Sequence, residues 1–396
     1  MAERTHLVSR LPEGGANLFQ SIKAVSTEAE ARGIGLIRLS IGQPQGPALE
    51  SARKAAAEAV LSESESMHEY QDNGTPGVPD FARRFVRGHV EVPLPDTGVA
   101  FLPIPGIKPM LGLIPLASGA VDRQLTIATT TRPGYPTPRD WANYLRQKVV
   151  ELPLNPENAF RFSPTDIPEG TSLLMMNYPH NPTGQIATRE WLMELCDYAQ
   201  ERGIRLFNDA AYIALSHSPD SRPLSEVAIN FPALSWAEAF SASKTIGNGT
   251  GWRVGAMAGS PDFIGDIATI KGNTDSGLVA PMAAGALHAV ENDRAGIEAN
   301  RQMYARRIQV LGRILVGNGM QPAVEPGAGF FTLWKSPKRA FAQEVQSAQD
   351  FNYAMIENAG VVGVHFDPYI RYAVCADVEG QAEKIDAAFK KAAVSY

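Results

Sequence analysis

Two rhythms of apolar positions run along the chain. Segments such as SARKAAAEAVLSE (51–63) and REWLMELCDYAQERG (189–203) repeat their apolar residues at helical spacing and predict helices. Between such segments stand short apolar runs, QLTIATT (124–130), TSLLMMN (171–177) and IRLFND (204–209), which predict buried strands. Helix and strand in alternation, without internal repeats, predict an α/β fold: a mainly parallel sheet with helices on both faces. Beyond residue 285 the pattern changes to long helical stretches followed by PGAGFFTLW and YIRYAV, which suit a smaller α+β unit.

Sheets of this kind bind ligands beyond the carboxyl ends of their strands. That rule selects residues. LLMMN runs into NYPHNPTG, IRLFN ends at Asp209, two residues ahead of Ala211-Tyr212, and EAFSASK ends in Lys244. Asn181, Asp209, Tyr212 and Lys244 are therefore expected on one rim. The glycine-rich stretch FSASKTIGNGTGWRVG (240–255) lacks the third glycine of a dinucleotide fingerprint, and its lysine precedes the glycines instead of following them as in a Walker loop. Taken alone, that stretch leaves a solvated loop lysine open.

Composition narrows the function classes. A chain of 396 residues, 44% hydrophobic and 20% charged, has room for two globular units with substantial cores. Its net charge of −6 supplies no basic footprint for nucleic acid. Cys196 and Cys375 stand far apart, which fits two free buried thiols in a reducing cytoplasm. The seven histidines form no metal-ligand spacing, so no metal is expected. The opening MAERTHLVSR lacks an apolar leader and no run reaches the length of a membrane span, so a cytosolic protein is expected.

An aspartate able to hold a cationic ring nitrogen and a lysine able to form a Schiff base are together what pyridoxal phosphate needs. NYPHNPTG, NDAAY and SASK…GWRVG, in this order, resemble the fold-type-I pyridoxal-phosphate enzymes, the class I/II aminotransferases. Over nearly the whole chain the segments HEYQDNGTPGVPDFARRF, RPGYPTP and PGAGFFTLW follow the same course. The run from LIRLSIGQPQGPAL to KGNTDSG is most similar to LL-diaminopimelate aminotransferases.

The resemblance implies a mainly parallel sheet of the seven-stranded type and three regions. Residues 1–50 would contribute to the small domain, 51–284 would form the large cofactor-binding domain, and 285–396 would form the small C-terminal domain. It implies that Lys244 forms the Schiff base and moves the substrate proton, that Asp209 pairs with the pyridinium nitrogen, and that Asn181 and Tyr212 bond the phenolic oxygen. Tyr135 would stack on the ring. Ser241, Arg253 and the loop Gly106-Ile107-Lys108 would hold the phosphate, joined by Tyr70 from the other subunit of a homodimer. Arg371 would grip the substrate α-carboxylate, with Gly42 and Asn181 beside it. Asn273 is a candidate for a distal substrate group of the partner's site, or else a helix cap.

Three departures stand out against the family pattern. Ile107 replaces the usual hydroxyl residue of the phosphate loop. The spacing from Lys244 to Arg253 is one residue longer, with Gly247-Asn248-Gly249 taking up the extra residue and expected to bulge towards the cofactor or the partner. The approach GVVGVHFDPYIR to Arg371 is short, which would let His365 and Asp367 project into the pocket. The expected activity is transfer of an amino group from an L-amino acid to a 2-oxo acid. A lyase, cyclase or oxidase reaction on the same scaffold, or an idle binding scaffold, are the alternatives.

Overall fold

The computed structural model describes residues 18–396, so the opening MAERTHLVSR lies outside the described residues. Among these residues the central feature is a seven-stranded sheet of β1 (Ala100–Ile104), β2 (Thr126–Thr129), β3 (Lys148–Glu151), β4 (Leu173–Met176), β5 (Arg205–Asp209), β6 (Trp236–Ser241) and β7 (Gly255–Gly259). Its spatial order is β1-β7-β6-β5-β4-β2-β3. Only β7 runs against its neighbours, pairing antiparallel with both β1 and β6. The fold is the α/β arrangement expected from the alternation of helix and strand.

Strand periodicity explains how both faces are buried. Leu174, Met176 and Leu206 point into one core, which helices α2 (Glu50–Val60), α4 (Arg189–Arg202) and α7 (Ala280–Asn292) cover. Leu173, Met175 and Phe207 point into the opposite core, under α3 (Ile107–Ala117) and α6 (Pro261–Lys271). Helix α4 begins where the Thr188 side chain accepts from the Trp191 amide and ends at left-handed Gly203. The helix occupies the segment REWLMELCDYAQERG that predicted it.

A separate core forms from the C-terminal part of the chain. Tyr304, Leu311 and Leu315 of α8 (Arg294–Gly317) join Phe330, Phe331, Ile370 and Phe389, and Ile37 and Leu39 of the N-terminal segment pack there too. Strands β8 (Pro322–Val324), β9 (Phe331–Lys335), β10 (Val364–Phe366) and β11 (Tyr369–Ala373) make its antiparallel sheet, in the order β10-β11-β9-β8. Helices α9 (Ala348–Ala359) and α10 (Ala382–Ala392) complete it, and α1 (Leu18–Ala31) lies against α9. Helix α7 runs unbroken through residue 285 and buries Ala283, Ala286 and Val290 in the core of the large sheet.

Beneath the rim, two neighbouring strands are tied together by side chains. The buried Glu238 of β6 accepts from Asn208 Nδ2 of β5 at 2.7 Å and from the backbone amides of Leu224 and Ser225 at 2.9 and 2.7 Å. Burial raises the Glu238 carboxyl above its ordinary range, and these donors oppose the rise. Asn208 in turn bonds both backbone groups of Tyr178, each at 2.9 Å, so the loops after β4 and β5 share a fixed floor.

Candidate active site

β4, β5 and β6 are adjacent in the sheet, and their carboxyl ends bring Asn181, Asp209 and Lys244 to one cavity of about 600 Å3. Ile41, Gly42, Gln43, Ile107, Lys108, Leu111, Tyr135, Asn177, Tyr212, Ser241, Ser243, Thr250, Arg253, Phe331 and Arg371 also line it. Of the predicted site residues, Tyr70 stands apart, three-quarters exposed on the surface of its own chain.

Lys244 lies on a single helical turn, α5 (Ala242–Thr245), which starts where Ser241 Oγ accepts from the Ser243 amide at 3.1 Å. Burial lowers its ammonium group from 10.5 to about 8, an effect that the nearby Asp209 carboxylate opposes. Asp209 ends β5, with Oδ1 accepting from the Ala211 amide at 3.1 Å. Burial raises its carboxyl to about 6, while the Ala211 amide and Lys244 act against that rise. The two groups have thus been pulled towards each other, as expected for a base and an acid sharing a desolvated pocket.

The far wall is built around a buried arginine. Arg371 donates from Nη1 to Asn181 Oδ1 at 2.9 Å and from Nη2 to the Ser40 carbonyl at 2.7 Å. Its guanidinium lies 4.3 Å from the Phe331 ring centre and its Nε has no partner. Burial lowers its pKa to about 10. No carboxylate pairs with it among the described residues, so this cation is held by neutral acceptors and an aromatic face. Gly42 is a glycine because a Cβ there would stand 2.9 Å from Phe331. Tyr212 is buried edge-on against Phe330 and Phe331, and burial pushes its phenol above the ordinary range.

At the opposite end α3 begins. Gly106 is its N-cap at φ 77°, a conformation that favours glycine, and a Cβ there would lie 2.6 Å from Arg253 Nη2 and displace that guanidinium. Arg253 donates to the Pro105 carbonyl at 2.8 Å and to the Thr250 carbonyl at 3.1 Å. A helix N-terminus, an arginine and the Ser241 hydroxyl converge as an anion site would require. Ile107 is buried at the first helical position, and Pro109 two places on carries no N–H, so the backbone amides from 106 to 108 are the donors offered there.

Three expectations change. His365 points away from the cavity, its ring edge-on to Tyr353 of α9, because period-two alternation along β10 turns Phe366 towards Arg371 instead. Asp367 Oδ1 accepts from the Ala348 amide at the start of α9 at 2.9 Å and is likewise outside the cavity. The Gly247-Asn248-Gly249 loop does not bulge into the cavity: the Leu49 amide donates to the Ile246 carbonyl at 2.9 Å and Asn248 Nδ2 to the Gly46 carbonyl at 3.0 Å. Asn273 takes the capping alternative, donating to the Thr269 carbonyl at 3.0 Å.

Several lining residues went unremarked in the sequence. Asn177 donates to the Asp209 carbonyl at 2.7 Å and accepts from the Asn181 amide at 2.9 Å, bracing two strand ends against each other. NYPHNPTG contains both asparagines, and the position of Asn177 directly after LLMM was the available sign. Gln43, Ser243, Thr250 and Phe331 lie inside the quoted motifs without having been singled out, and Leu111 belongs to none of them.

Pyridoxal phosphate fits these residues. A glycine-floored cradle with an arginine lies at one end, a buried carboxylate sits at a strand end in the middle, and a half-buried lysine faces it. Comparison with known proteins agrees. The family model for aminotransferase class I and II matches residues 34–385. An LL-diaminopimelate aminotransferase from Methanocaldococcus jannaschii is 31% identical over 367 residues, covering 90% of this chain and 85% of the relative. Another, from Syntrophobacter fumaroxidans, is 28% identical and covers 93% and 94%. Among solved structures, the aspartate aminotransferase from Rhizobium meliloti superposes with a TM-score of 0.84 at 19% identity, covering 98% of this chain and 99% of that one.

Proposed function

The chain belongs to the class I and II aminotransferases, enzymes dependent on pyridoxal 5′-phosphate, and from that membership we propose roles for its cavity residues and a first donor to test. The reaction moves an amino group from an amino acid to a 2-oxo acid. When bound, the cofactor supplies an aldehyde that joins to an amine and a ring that draws electrons away from the substrate Cα.

The residues provide position and proton control. Lys244 is the nucleophile and proton carrier, and its lowered pKa makes the neutral amine available near neutral pH. Asp209 keeps a ring nitrogen protonated, since a carboxylate in a desolvated pocket strongly favours the charged form of its partner. Asn181 and Tyr212 hold the ring oxygen and Tyr135 covers the ring face. Gly106, Ile107 and Lys108 offer backbone amides to the phosphate together with Ser241 and Arg253. Arg371 takes the substrate α-carboxylate, with Gly42 leaving room beside it.

The observation that carries this reading is the juxtaposition of Lys244 and Asp209 in one cavity with an unpaired buried arginine. Because the relatives above are named LL-diaminopimelate aminotransferases, that diamino diacid is the first donor to test, and Lys108, exposed at the cavity, is a cation suited to a second carboxylate. Tyr70 completes the neighbouring site in a homodimer, which its exposure in the single chain supports. The cytoplasm suits two free buried cysteines. The N-terminal segment and the chain after α7 form the small domain, supported by the shared core of Leu39, Leu311 and Phe331.

The test is a visible absorption spectrum of the purified protein with LL-diaminopimelate, L-glutamate and L-aspartate in turn. A donor should bleach the cofactor band and a 2-oxo acid should restore it. A band that no amino acid bleaches reversibly would overturn the proposed roles.

A further inference from the structure

Asn248, in the loop between Lys244 and Arg253, is half-buried and bonds in two directions. Asn248 Nδ2 donates to the Gly46 carbonyl at 3.0 Å, and Asn248 Oδ1 accepts from Thr250 Oγ1 at 2.8 Å. Thr250 lines the cavity, and its own carbonyl accepts from Arg253 Nη1 at 3.1 Å. Arg253 then reaches the Pro105 carbonyl beside Gly106 at 2.8 Å. On the other side Gly46 ends the segment whose Ile41, Gly42 and Gln43 line the cavity and whose Ser40 carbonyl accepts from Arg371. One side chain thus stands between the two ends of the site.

We propose that Asn248 is a positioning residue that ties the Arg253–Thr250 phosphate cradle to segment 40–46, so that order at the phosphate end is passed to the substrate-carboxylate end. The backbone bridge between Ala48 and Gly247 and the Leu49–Ile246 bond fix the register of the two segments. Asn248 adds a tie at Gly46, while Arg371 holds the other end of the same segment at the Ser40 carbonyl. The two bonds divide the work: Oδ1 steadies the cradle through Thr250, and Nδ2 steadies the substrate side through Gly46. An amide is needed because it is the side chain that donates and accepts at once in this reach. This inference rests on the proposed roles of Arg253 and Arg371.

The experiment compares the full-length holoenzyme and its cofactor-free form in wild type, Asn248→Ala, Asn248→Asp and Arg253→Ala. Four quantities are read: the dissociation constant for pyridoxal phosphate, KM and kcat for an amino donor, and the urea midpoint of the cofactor-free protein. Asn248→Ala should weaken cofactor binding and raise the donor KM by about fivefold each, the size of one neutral hydrogen bond, with kcat changed less. Asn248→Asp keeps the acceptor for Thr250, loses the donor to Gly46 and adds a negative charge beside that carbonyl, so its donor KM should rise at least as far as that of Asn248→Ala.

If Asn248→Ala moves only the urea midpoint, or nothing, Asn248 is a structural loop residue and the proposal is overturned. If the aspartate variant leaves the donor KM at the wild-type value, the Gly46 bond does not steady the substrate side and the division of the two bonds is wrong. Arg253→Ala is the control for the underlying reading: unchanged cofactor affinity there would remove Arg253 from the phosphate site irrespective of what Asn248 does.

Discussion

Replacing Arg371 with methionine should damage catalysis far more than it damages the stability of the cofactor-free protein. In the protein without substrate, Arg371 is a buried cation without a carboxylate partner among the described residues, and its pKa falls from 12.5 to about 10. At roughly 1.4 kcal/mol per tenfold, that depression corresponds to a cost on the order of 3 kcal/mol for keeping the charge inside near neutral pH. The sign follows from linkage: the unfolded chain binds more protons between about pH 10 and 12.5, so stability rises with pH in that window. Methionine removes the charge but orphans the Asn181 side-chain oxygen and the Ser40 carbonyl. At about 1–3 kcal/mol for each orphaned buried acceptor, those two losses offset the cost of the buried charge to within about 3 kcal/mol in the cofactor-free protein. Catalysis moves the other way, because a substrate carboxylate loses a charge-assisted partner worth about 2–5 kcal/mol, or some thirty- to several-thousand-fold in kcat/KM. Urea unfolding of the cofactor-free protein by tryptophan fluorescence and a coupled assay for the 2-oxo product read the two arms. A variant that loses several kcal/mol of stability along with its activity would refute the argument and make Arg371 a structural tie.

Other consequences are equally open to measurement. The rate at which cofactor-free protein takes up pyridoxal phosphate should rise with pH through about 8, where the Lys244 amine loses its proton, and level off well below 10.5. Stopped-flow absorbance checks this, and a rise centred near 10.5 would mean that the pocket is wetter than the structure shows. Gly106→Ala should weaken cofactor binding at least tenfold by pushing against Arg253, at about 1–3 kcal/mol for backbone strain alone, as fluorescence titration would reveal. Glu238→Leu should cost about 3 kcal/mol or more, because Asn208 and two backbone amides lose their acceptor, and the urea midpoint should fall accordingly. In a mixed population, inactive Lys244→Ala and impaired Tyr70→Phe chains should recover activity together, since one site of each mixed dimer would carry neither change; no recovery after refolding together would place Tyr70 outside the neighbouring site.

What the sequence made legible was local and periodic. Strand runs such as LLMMN and IRLFND are continuous because both sheet faces are covered, and their ends are where polar residues can meet; Asn181, Asp209 and Lys244 follow from that geometry. His365 and Asp367 were misplaced because a short approach to Arg371 says nothing about which strand face each residue takes, and one step along β10 reverses it. Asn248 was misread because its loop was judged by length alone, whereas its direction is set by segment 46–49, some two hundred residues earlier. Asn177 and Phe331 act through long-range packing, which no local pattern records.

The Glu238–Asn208 staple has a consequence for how this enzyme can change. It locks the strands carrying Asp209 and Lys244 from below, using groups that never reach the cavity. The substrate end, by contrast, is assembled from Gly42, Gln43 and Phe331, on segments outside the central sheet. Mutations at Gln43 can therefore retailor the choice of amino acid while the staple keeps the reacting strands in place, with Gly42 and Phe331 kept for their close approach. Directed evolution of new specificities should begin there, with Glu238 and Asn208 left untouched.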